Sequence, residues 1–302
     1  MQKSKLKRQS NTLLGVMLIA FTTMLFAVTS CEEEQTTGML PEEGEGRLNV
    51  QLTDAPISLD LIDEANVTIS KIEIRKDLEG QESDTANPFM TLYDSTETYN
   101  LMELRNGVTE TLVDLEVPVG EYDLIRMYVD SAGLTLTNGD SYDVKVPSGE
   151  QTGIKIFIDP AIQVASGLTS NLLLDFDLSK SFILKGNMNS PAGVKGFNFK
   201  PVIRAVNQTT AGQISGVVTD TSESIVEDAA VWIEQDTVVT TTYSDSTGGY
   251  SILGVEEGIY DLYAAREGYD TTMVNDVEVI PGNETTRDLE LIPAEDNSSE
   301  EE

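Results

Sequence analysis

The sequence predicts an all-β protein with two β-sandwich domains in tandem. From Arg47 onward, apolar and polar residues alternate at a period of two, which is the pattern of half-buried strands. These runs are separated by Gly, Pro and Asn-Gly pairs, which are typical of turns between strands. Segments with a helical period are hard to find in the same region. The three observations together favour packed sheets over a helical fold.

The first predicted domain spans residues 47–207. Its first strand alternates over Leu48–Leu52, and a change of side-chain parity predicts a β-bulge near Ser70-Lys71. The Asn138-Gly139 pair predicts a hairpin, because both residues tolerate a positive φ. Two short helices are also expected in this domain, over Leu59–Glu64 and in the Met102–Asn106 connection.

Residues 208–211 are predicted to be a linker, and residues 212–292 a second sandwich with seven strands. These strands are short, evenly spaced and bounded by Gly or Pro. They are predicted over Ile214–Thr219, Ala230–Gln235, Val238–Ser244, Tyr250–Leu253, Ile259–Arg266, Val277–Ile280 and Glu284–Leu291. Residues 293–302 form an acidic tail that we expect to be disordered.

A five-residue pattern occurs once in each predicted domain. Residues 120–124 read Gly-Glu-Tyr-Asp-Leu, and residues 258–262 read Gly-Ile-Tyr-Asp-Leu. We expect Tyr122 and Tyr260 to bury their rings and to bond a backbone group through the hydroxyl. The match favours two sandwiches of related construction, with chance coincidence of five residues as the alternative.

The composition of the 302-residue chain excludes several classes of function. It has 52 acidic and 19 basic residues, no histidine and a single cysteine, Cys31. The absence of histidine rules out Ser-His-Asp and Cys-His catalysis and imidazole metal ligands. A single cysteine leaves no disulfide and no thiolate zinc site. The net charge of −33 repels phosphate backbones, so no nucleic-acid partner is expected.

Residues 1–30 have the composition of a secretory signal peptide. Four basic residues and no acidic one are followed by an apolar run from Leu13 to Val28 that is short for a membrane span. The run ends in Val28-Thr29-Ser30-Cys31, which resembles the lipobox of bacterial lipoproteins. That resemblance implies cleavage before Cys31 and its acylation, with fatty-acid chains such as palmitate anchoring the protein to a membrane. An uncleaved anchor helix with an incidental cysteine is the alternative.

Residues 31–46 are predicted to be an acidic, disordered tether. Six acidic residues in this segment have no basic neighbour. The acidic run after Cys31 resembles the export signal of surface-exposed lipoproteins in Bacteroidetes-type bacteria. The resemblance implies a lipid-anchored protein of the bacterial outer membrane that is exposed at the cell surface. A plain solvated linker is equally compatible with these residues.

The second predicted domain resembles the carboxypeptidase regulatory-like domain. The matching segments are Gly216–Asp220, Ala230-Val231, Ser244–Tyr250, Gly258–Leu262 and Gly268-Tyr269. This family implies a transthyretin (prealbumin)-like sandwich of the carbohydrate-binding-like class, without catalysis of its own, which often serves as a spacer on surface proteins.

The first predicted domain resembles an uncharacterised domain that recurs in bacterial lipoproteins. The matching segments are Leu52–Pro56, Val67–Ile69, Gly120–Tyr122, Leu174–Asp177 and Phe199–Ile203. This resemblance implies an architecture and a cellular setting but no mechanism.

Asp175 and Asp177 are the candidate metal ligands. They lie at positions i and i+2 of a predicted strand, so both carboxylates point to one side of it. Hard oxygen ligands of this kind suit calcium, with Asp54 or Asp159 as a further ligand. The alternative, which we favour, is the solvated face of a half-buried strand, so no cofactor is predicted and calcium is the one metal considered.

Trp232, Tyr243 and Tyr250 are the candidate ligand-binding residues. Trp232 has the opposite parity to Val231 and Ile233, so its indole faces outward if those two residues are in the core. With the two tyrosines it would form a small platform on which a sugar can stack. The alternative is a tryptophan buried against a neighbouring strand or against the first domain.

These observations predict a non-catalytic lipoprotein of the cell surface that acts as a binding module. Carbohydrate is the ligand class implied by the family resemblance. The alternative is a structural spacer or accessory protein that contacts other envelope proteins. Two carboxylates at a spacing suited to glycoside hydrolysis occur by chance among the 41 acidic residues of the two domains, so they do not indicate catalysis.

Overall fold

The computed structural model describes residues 44–55, 61–77, 88–146, 152–187 and 193–294. The predicted signal peptide, Cys31, most of the tether and the end of the acidic tail lie outside these residues. The described part of the chain is almost entirely β-strand and forms two sandwich domains, so the predicted fold class is confirmed. Within it, no helix is long and apolar enough to cross a membrane.

The N-terminal domain contains twelve strands among the described residues. Their bounds are β1 Glu45–Ala55, β2 Ile62–Lys76, β3 Phe89–Tyr93, β4 Glu97–Asn100, β5 Glu110–Pro118, β6 Gly120–Leu136, β7 Ser141–Val144, β8 Ile154–Val164, β9 Thr169–Asp177, β10 Phe182–Gly186, β11 Val194–Phe199 and β12 Ile203–Asn207. A 3-10 turn covers Leu101–Glu103, and one short helix, α1, covers Leu178–Ser181.

Ten of these strands form one hydrogen-bonded sheet that closes over a single core. The order is β3-β2-β6-β8-β12-β9-β1-β5, with β4 paired to β2 and β7 paired to β6, while β10 and β11 form a separate hairpin. A single residue pair, Ile158 and Ala205, joins β8 to β12. Side chains on both sides of this junction, such as Met127 and Phe176, belong to the same buried cluster. The sheet therefore folds over at the β8–β12 junction into two packed layers.

The local features predicted for this domain are mostly confirmed. The register of β2 shifts between Ile69 and Lys71, where the bulge is predicted, and Asn138-Gly139 lies in the turn between β6 and β7. The connection expected to contain a short helix holds the 3-10 turn. The helix expected over residues 59–64 is wrong from Ile62 onward, because Ile62 pairs with Leu136 and is buried in the core; residues 59–60 lie outside the described residues.

The C-terminal domain has two sheets that pack on a second, smaller core. Its strands are β13 Ala211–Asp220, β14 Ala230–Gln235, β15 Thr237–Tyr243, β16 Gly249–Glu256, β17 Gly258–Ala265, β18 Tyr269–Asp270, β19 Thr272–Val279, β20 Glu284–Thr286 and β21 Leu289–Pro293. One sheet has the order β16-β13-β21-β18, with β20 on β13, and the other has the order β15-β14-β17-β19.

The described domain thus has nine strands where seven were predicted. One addition is the two-residue strand β18, and the other arises because the predicted strand Glu284–Leu291 is interrupted at Arg287-Asp288. At the interruption, a Cβ on Gly216 of β13 would clash with the carbonyl oxygen of Arg287. The Asp288 side chain accepts the N–H of Val217 instead, at 3.0 Å. The side chain of Asp288 therefore takes the place of a backbone hydrogen-bond acceptor between the two strands that pair with β13.

The repeated tyrosine pattern has the same structure in both domains. Tyr122 is 1% exposed and donates its hydroxyl to the carbonyl oxygen of Pro118 at 2.6 Å. Tyr260 is 4% exposed and donates to the carbonyl oxygen of Glu256 at 3.0 Å. Each acceptor lies four residues before its tyrosine, so the predicted buried ring and backbone bond are confirmed in both places.

The two domains share a buried interface. Strand β12 ends at Asn207 and β13 begins at Ala211, with a hydrogen-bonded turn between them. A small apolar cluster brings Leu173 and Val206 of the N-terminal domain against Ala211 and Leu253 of the C-terminal domain. The side chain of Asn106 accepts the N–H of Ser251 on the edge strand β16 at 2.6 Å. These contacts fix one domain against the other.

Candidate functional site

The outer face of the four-stranded sheet in the C-terminal domain carries a row of four side chains. Thr241, Trp232, Tyr263 and Met273 lie directly opposite one another on β15, β14, β17 and β19. The residues that flank Trp232 along β14 are fully buried, so its indole points away from the core and is partly exposed. A single strip therefore crosses the whole sheet.

Trp232 and Tyr263 stack on each other at the centre of this strip. Their ring centroids are 5.2 Å apart and their planes differ by 6°, which is an offset parallel stack. Each ring covers one face of its partner, so the other face of the indole points toward β15 and that of the phenol toward β19. The neighbour on β15 is the small Thr241, whereas Met273, 47% exposed, lies on the β19 side. The neighbour of Trp232 on the β15 side is thus smaller than the neighbour of Tyr263 on the β19 side.

A row of acidic residues runs beside the aromatic strip. Glu234 accepts the indole N–H of Trp232 at 2.9 Å and lies directly opposite Asp261. Partial burial together with the charges of Glu234 and Asp261 raises the pKa of Tyr263, which keeps its hydroxyl protonated. The strip therefore combines apolar ring faces with hydrogen-bond acceptors for hydroxyl groups.

The structure changes the set of aromatic candidates. Tyr243 lies on the same outer face as Trp232, opposite Ala230. Tyr250 is wrong as a platform residue, because β16 belongs to the other sheet and its ring is 3% exposed in the core. Its hydroxyl donates to the carbonyl oxygen of Arg287, and burial raises its pKa. Tyr263 replaces Tyr250 as an aromatic residue of the strip. The sequence indicated this, because Tyr263 lies an odd number of residues after the buried Tyr260 on one strand and so points to the opposite face.

Asp175 lies at the interface between the domains. It is 5% exposed, and its Oδ2 accepts from Nη2 of Arg204 at 2.8 Å and from Oγ1 of Thr240 at 3.4 Å. Arg204 also donates to the carbonyl oxygen of Gly254 at 2.8 Å. The interpretation of this position as a solvated strand face is therefore wrong, because the C-terminal domain covers it.

Asp177 caps helix α1 rather than facing Asp175 across a metal. Its Oδ1 accepts from the N–H of Lys180 at 2.9 Å and from the hydroxyl of Ser179 at 2.6 Å. Its Oδ2 pairs with Nζ of Lys180 at 2.8 Å. Both predicted metal ligands thus bond to cationic groups of the protein itself. Within the described ranges, no group of three or more His, Cys, Asp or Glu side chains is arranged to hold a metal ion.

Asp54 lies beside Asp175 at the bottom of a narrow crevice between the domains. The crevice has a volume of about 10 Å³, and Thr240 and Thr242 line it from the C-terminal side. Asp54 is 5% exposed, and its Oδ1 accepts the N–H of Leu178 at 3.3 Å. Burial, and then the charges of Asp175 and Asp177, raise the pKa of Asp54 well above its usual range. A space of this size holds about one water molecule and no organic substrate.

A larger crevice opens where the C-terminal domain meets the N-terminal domain near the 3-10 turn. Its volume is about 450 Å³, and it is lined by acidic residues of both domains, including the exposed Glu103 and the half-buried Asp228, with Arg105 among them. The lining offers no aromatic surface, so the outer strip with Trp232 is the better candidate for a ligand.

The fold and these surfaces define a two-domain β-sandwich protein with an exposed aromatic strip on its C-terminal domain. A family model described as a domain of unknown function, DUF4382, matches residues 45–201, which is more than half of the chain, and the chain belongs to this family. The carboxypeptidase regulatory-like domain matches residues 213–292. The predicted carboxypeptidase regulatory-like domain is confirmed, and the N-terminal domain belongs to an uncharacterised family as predicted. A comparison with curated proteins found no match.

Three solved structures illustrate how remote the structural likenesses are. A putative carbohydrate binding protein from Bacteroides uniformis is 22% identical over 27% of this chain and 41% of its own, with a TM-score of 0.24. The shaft pilin SpaA of Lactobacillus rhamnosus GG is 10% identical over 83% of this chain and 98% of its own, with a TM-score of 0.26. The catechol 1,2 dioxygenase of Acinetobacter radioresistens is 17% identical over 31% of this chain, with a TM-score of 0.23, and this chain spans 56% of its length. Scores this low carry no functional argument.

Proposed function

We propose that this protein is a lipoprotein of the bacterial cell surface that binds neutral carbohydrate on the outer strip of its C-terminal domain. The observation that carries the proposal is the stacked pair Trp232–Tyr263 on an exposed sheet face. The C–H faces of a sugar ring pack on aromatic rings, and the indole is the largest such ring. Glu234 and Asp261 beside the rings supply acceptors for sugar hydroxyls.

The charge of the domain narrows the ligand class. Residues 212–292 contain 17 acidic residues and only Arg266 and Arg287 as basic ones. The negative electrostatic potential of these residues repels sulfated or uronic-acid glycans and any other anionic ligand. Neutral sugars carry no such penalty, so we expect selectivity for uncharged glycans.

A glycan array with the full chain tests this proposal. We expect Trp232→Ala and Tyr263→Ala each to reduce binding about tenfold, because each removes one aromatic partner from the stacked pair. Ile259→Ala is the matched control, since Ile259 is an exposed apolar residue on the same face of β17, 58% exposed, outside the strip. Binding that is equal in all four proteins, or no binding to any neutral glycan, would rule the proposal out.

We also propose that the protein is anchored through Cys31 and has no catalytic activity. Cys31 is the only cysteine and ends the lipobox-like segment, so it is the only available site for the thioether to diacylglycerol. Labelled palmitate should enter the wild-type protein in cells and not the Cys31→Ala variant. Against catalysis, the carboxyl group with the most strongly raised pKa, that of Asp54, lies in a crevice too small for a substrate.

A spacer that holds a partner away from the membrane is the second candidate function. The buried interface between the domains favours it, because a rigid pair of domains keeps a fixed length. This alternative predicts no glycan binding. It also predicts that a photoreactive residue placed at Met273, in the exposed strip, cross-links to one envelope protein in intact cells.

A further inference from the structure

The crevice between the domains contains two buried oxygen atoms that lack a hydrogen-bond partner in the described part of the chain. They are Oδ2 of Asp54 and Oγ1 of Thr242. Both side chains are almost fully buried, with 5% and 2% exposure, and both line the crevice of about 10 Å³. Asp54 belongs to β1 and Thr242 to β15, so this pair is brought together only when the two domains are docked.

Negative charge surrounds Asp54 on the N-terminal side. Asp175 on β9 and Asp177 at the start of α1 both act on it, and Arg105 beyond the 3-10 turn offsets them in part. Asp175 already has its own cation, Arg204 on β12. The C-terminal domain lines the crevice with Thr, Ser, Ile and Leu side chains, which carry no charge. An ionised Asp54 would therefore be a buried charge without a cation of its own.

A proton removes this difficulty. A buried carboxylate without a partner takes up a proton rather than remaining charged. The protonated acid is also a hydrogen-bond donor, which an ionised carboxylate is not. One water molecule in the crevice would then link the acid to Oγ1 of Thr242 and satisfy both oxygen atoms.

We propose that Asp54 is a proton-operated latch, which holds the two domains together when it is neutral and releases the C-terminal domain when it ionises. Strand β1 carries Asp54, and β15 and β16 carry the C-terminal side of the crevice. Ionisation of Asp54 would therefore act on the interface at β15 and β16 against the contacts of the apolar cluster and of Asn106, while the core of each domain stays folded.

The direction of the pH dependence follows from the raised pKa of Asp54. Separation of the domains would return water to the Asp54 carboxyl and remove part of the desolvation that raises its pKa, so the docked state keeps a proton more tightly than the separated state does. Docking is therefore strongest in acid and weakens as the pH rises through the raised pKa. Glu73 and Asp245, whose pKa values are lowered, act in the opposite direction, so the effect of Asp54 must be measured as a difference between variants.

Hydrogen–deuterium exchange of the full chain in detergent, corrected for the intrinsic pH dependence of exchange, tests the latch. Between pH 5 and pH 9 we expect protection of segments 104–107, 240–242 and 250–252 to fall at least tenfold relative to strand β6. In Asp54→Asn, a neutral residue of the same shape, protection of these segments should not change with pH. Asp270→Asn, which neutralises an exposed carboxylate on β18, should behave like the wild type.

Three results would overturn the proposal. One is the same pH dependence in the wild type and in Asp54→Asn. Another is loss of protection throughout β1 and β9, which would mean that Asp54 supports only the N-terminal core. The third is recovery of docking at pH 9 by sodium or calcium chloride in an Asp54-dependent manner, which would make the crevice a metal site.

Infrared spectroscopy of the wild-type protein provides a test that does not depend on a variant folding. We expect the carbonyl stretch of a protonated carboxylic acid to persist above the pH at which an ordinary aspartate ionises, about 4, and to disappear over the same pH range as interface protection. Loss of this band together with the bands of ordinary carboxyl groups would also overturn the proposal.

Discussion

The two domains share one local hydrogen bond, from a buried tyrosine to the backbone, and differ in their content of acidic and basic residues. Tyr122 and Tyr260 make the same bond to a carbonyl oxygen four residues upstream. In contrast, residues 47–207 contain 13 basic and 24 acidic residues, whereas residues 212–292 contain 2 and 17. The same tyrosine hydrogen bond therefore forms in a domain of mixed charge and in a strongly acidic one.

The difference in charge is also a difference in hydrogen bonding. Within the described residues, six ion pairs lie in the N-terminal domain, and the C-terminal domain has one, at 4.0 Å between Arg266 and Asp228. The acidic groups of the C-terminal domain are used instead as acceptors for backbone N–H groups. Asp245 accepts from Thr247 and Gly249, and Asp220 accepts from Ser222 and Ser224. These turns are held without cations.

Matched truncations in the two cores should give the largest effects. Phe176→Ala in the N-terminal core and Tyr250→Ala in the C-terminal core each remove a buried ring, at a cost of about 3–5 kcal/mol. Because the C-terminal core is smaller, we expect Tyr250→Ala to unfold that domain first. Trp232, the only tryptophan, reports this domain by fluorescence, and circular dichroism reports both. Equal shifts of the Trp232 signal in both variants would show that the domains unfold as one unit.

Removal of the interface cation should have the next largest effect. Arg204→Ala leaves Asp175 buried without its partner, and we expect a loss of about 3 kcal/mol in urea unfolding. Lys180→Ala is the control, because Lys180 is 51% exposed in its pair with Asp177 and should cost less than about 1 kcal/mol. Adding Asp175→Asn to Arg204→Ala should restore part of the loss. Similar costs for the two single variants would contradict the buried role of Asp175.

The shared tyrosine hydrogen bond should contribute equally to the free energy of unfolding of both domains. Tyr122→Phe and Tyr260→Phe each delete one hydroxyl-to-carbonyl hydrogen bond and keep the buried ring. We expect each to lower the free energy of unfolding by about 1 kcal/mol. Chemical denaturation, followed separately for each domain, measures this. Values that differ by more than about 1 kcal/mol would show that the two turns are alike only in geometry.

The effect of salt on the stability of the two domains should be the smallest of these differences. Raising sodium chloride screens the repulsion among the acidic residues of the C-terminal domain, so we expect a stability gain of up to about 1 kcal/mol there. In the N-terminal domain, screening of ion pairs such as Arg75–Asp123 offsets the gain. Potassium chloride should act identically if screening is the cause. A gain confined to one cation would indicate ion binding instead.

Much of the fold was predictable because the evidence lies along single strands. Alternation at a period of two determined the all-β class, the bulge near Ser70-Lys71 and the outward parity of Trp232. The tyrosine bonds were predictable for the same reason, since donor and acceptor are four residues apart. In each case burial of a side chain depends on the side of a single strand that the residue occupies, and the sequence spacing gives that side directly.

The tertiary structure alone decided which residues meet across strands and across domains. Tyr263 joins Trp232 through the register of β14 and β17, and Tyr250 is removed because β16 lies in the other sheet. Asp175 has the parity of a surface residue, yet the docked C-terminal domain buries it against Thr240. Pairing and docking are sums of many weak contacts between distant segments, so no local pattern in the sequence encodes them.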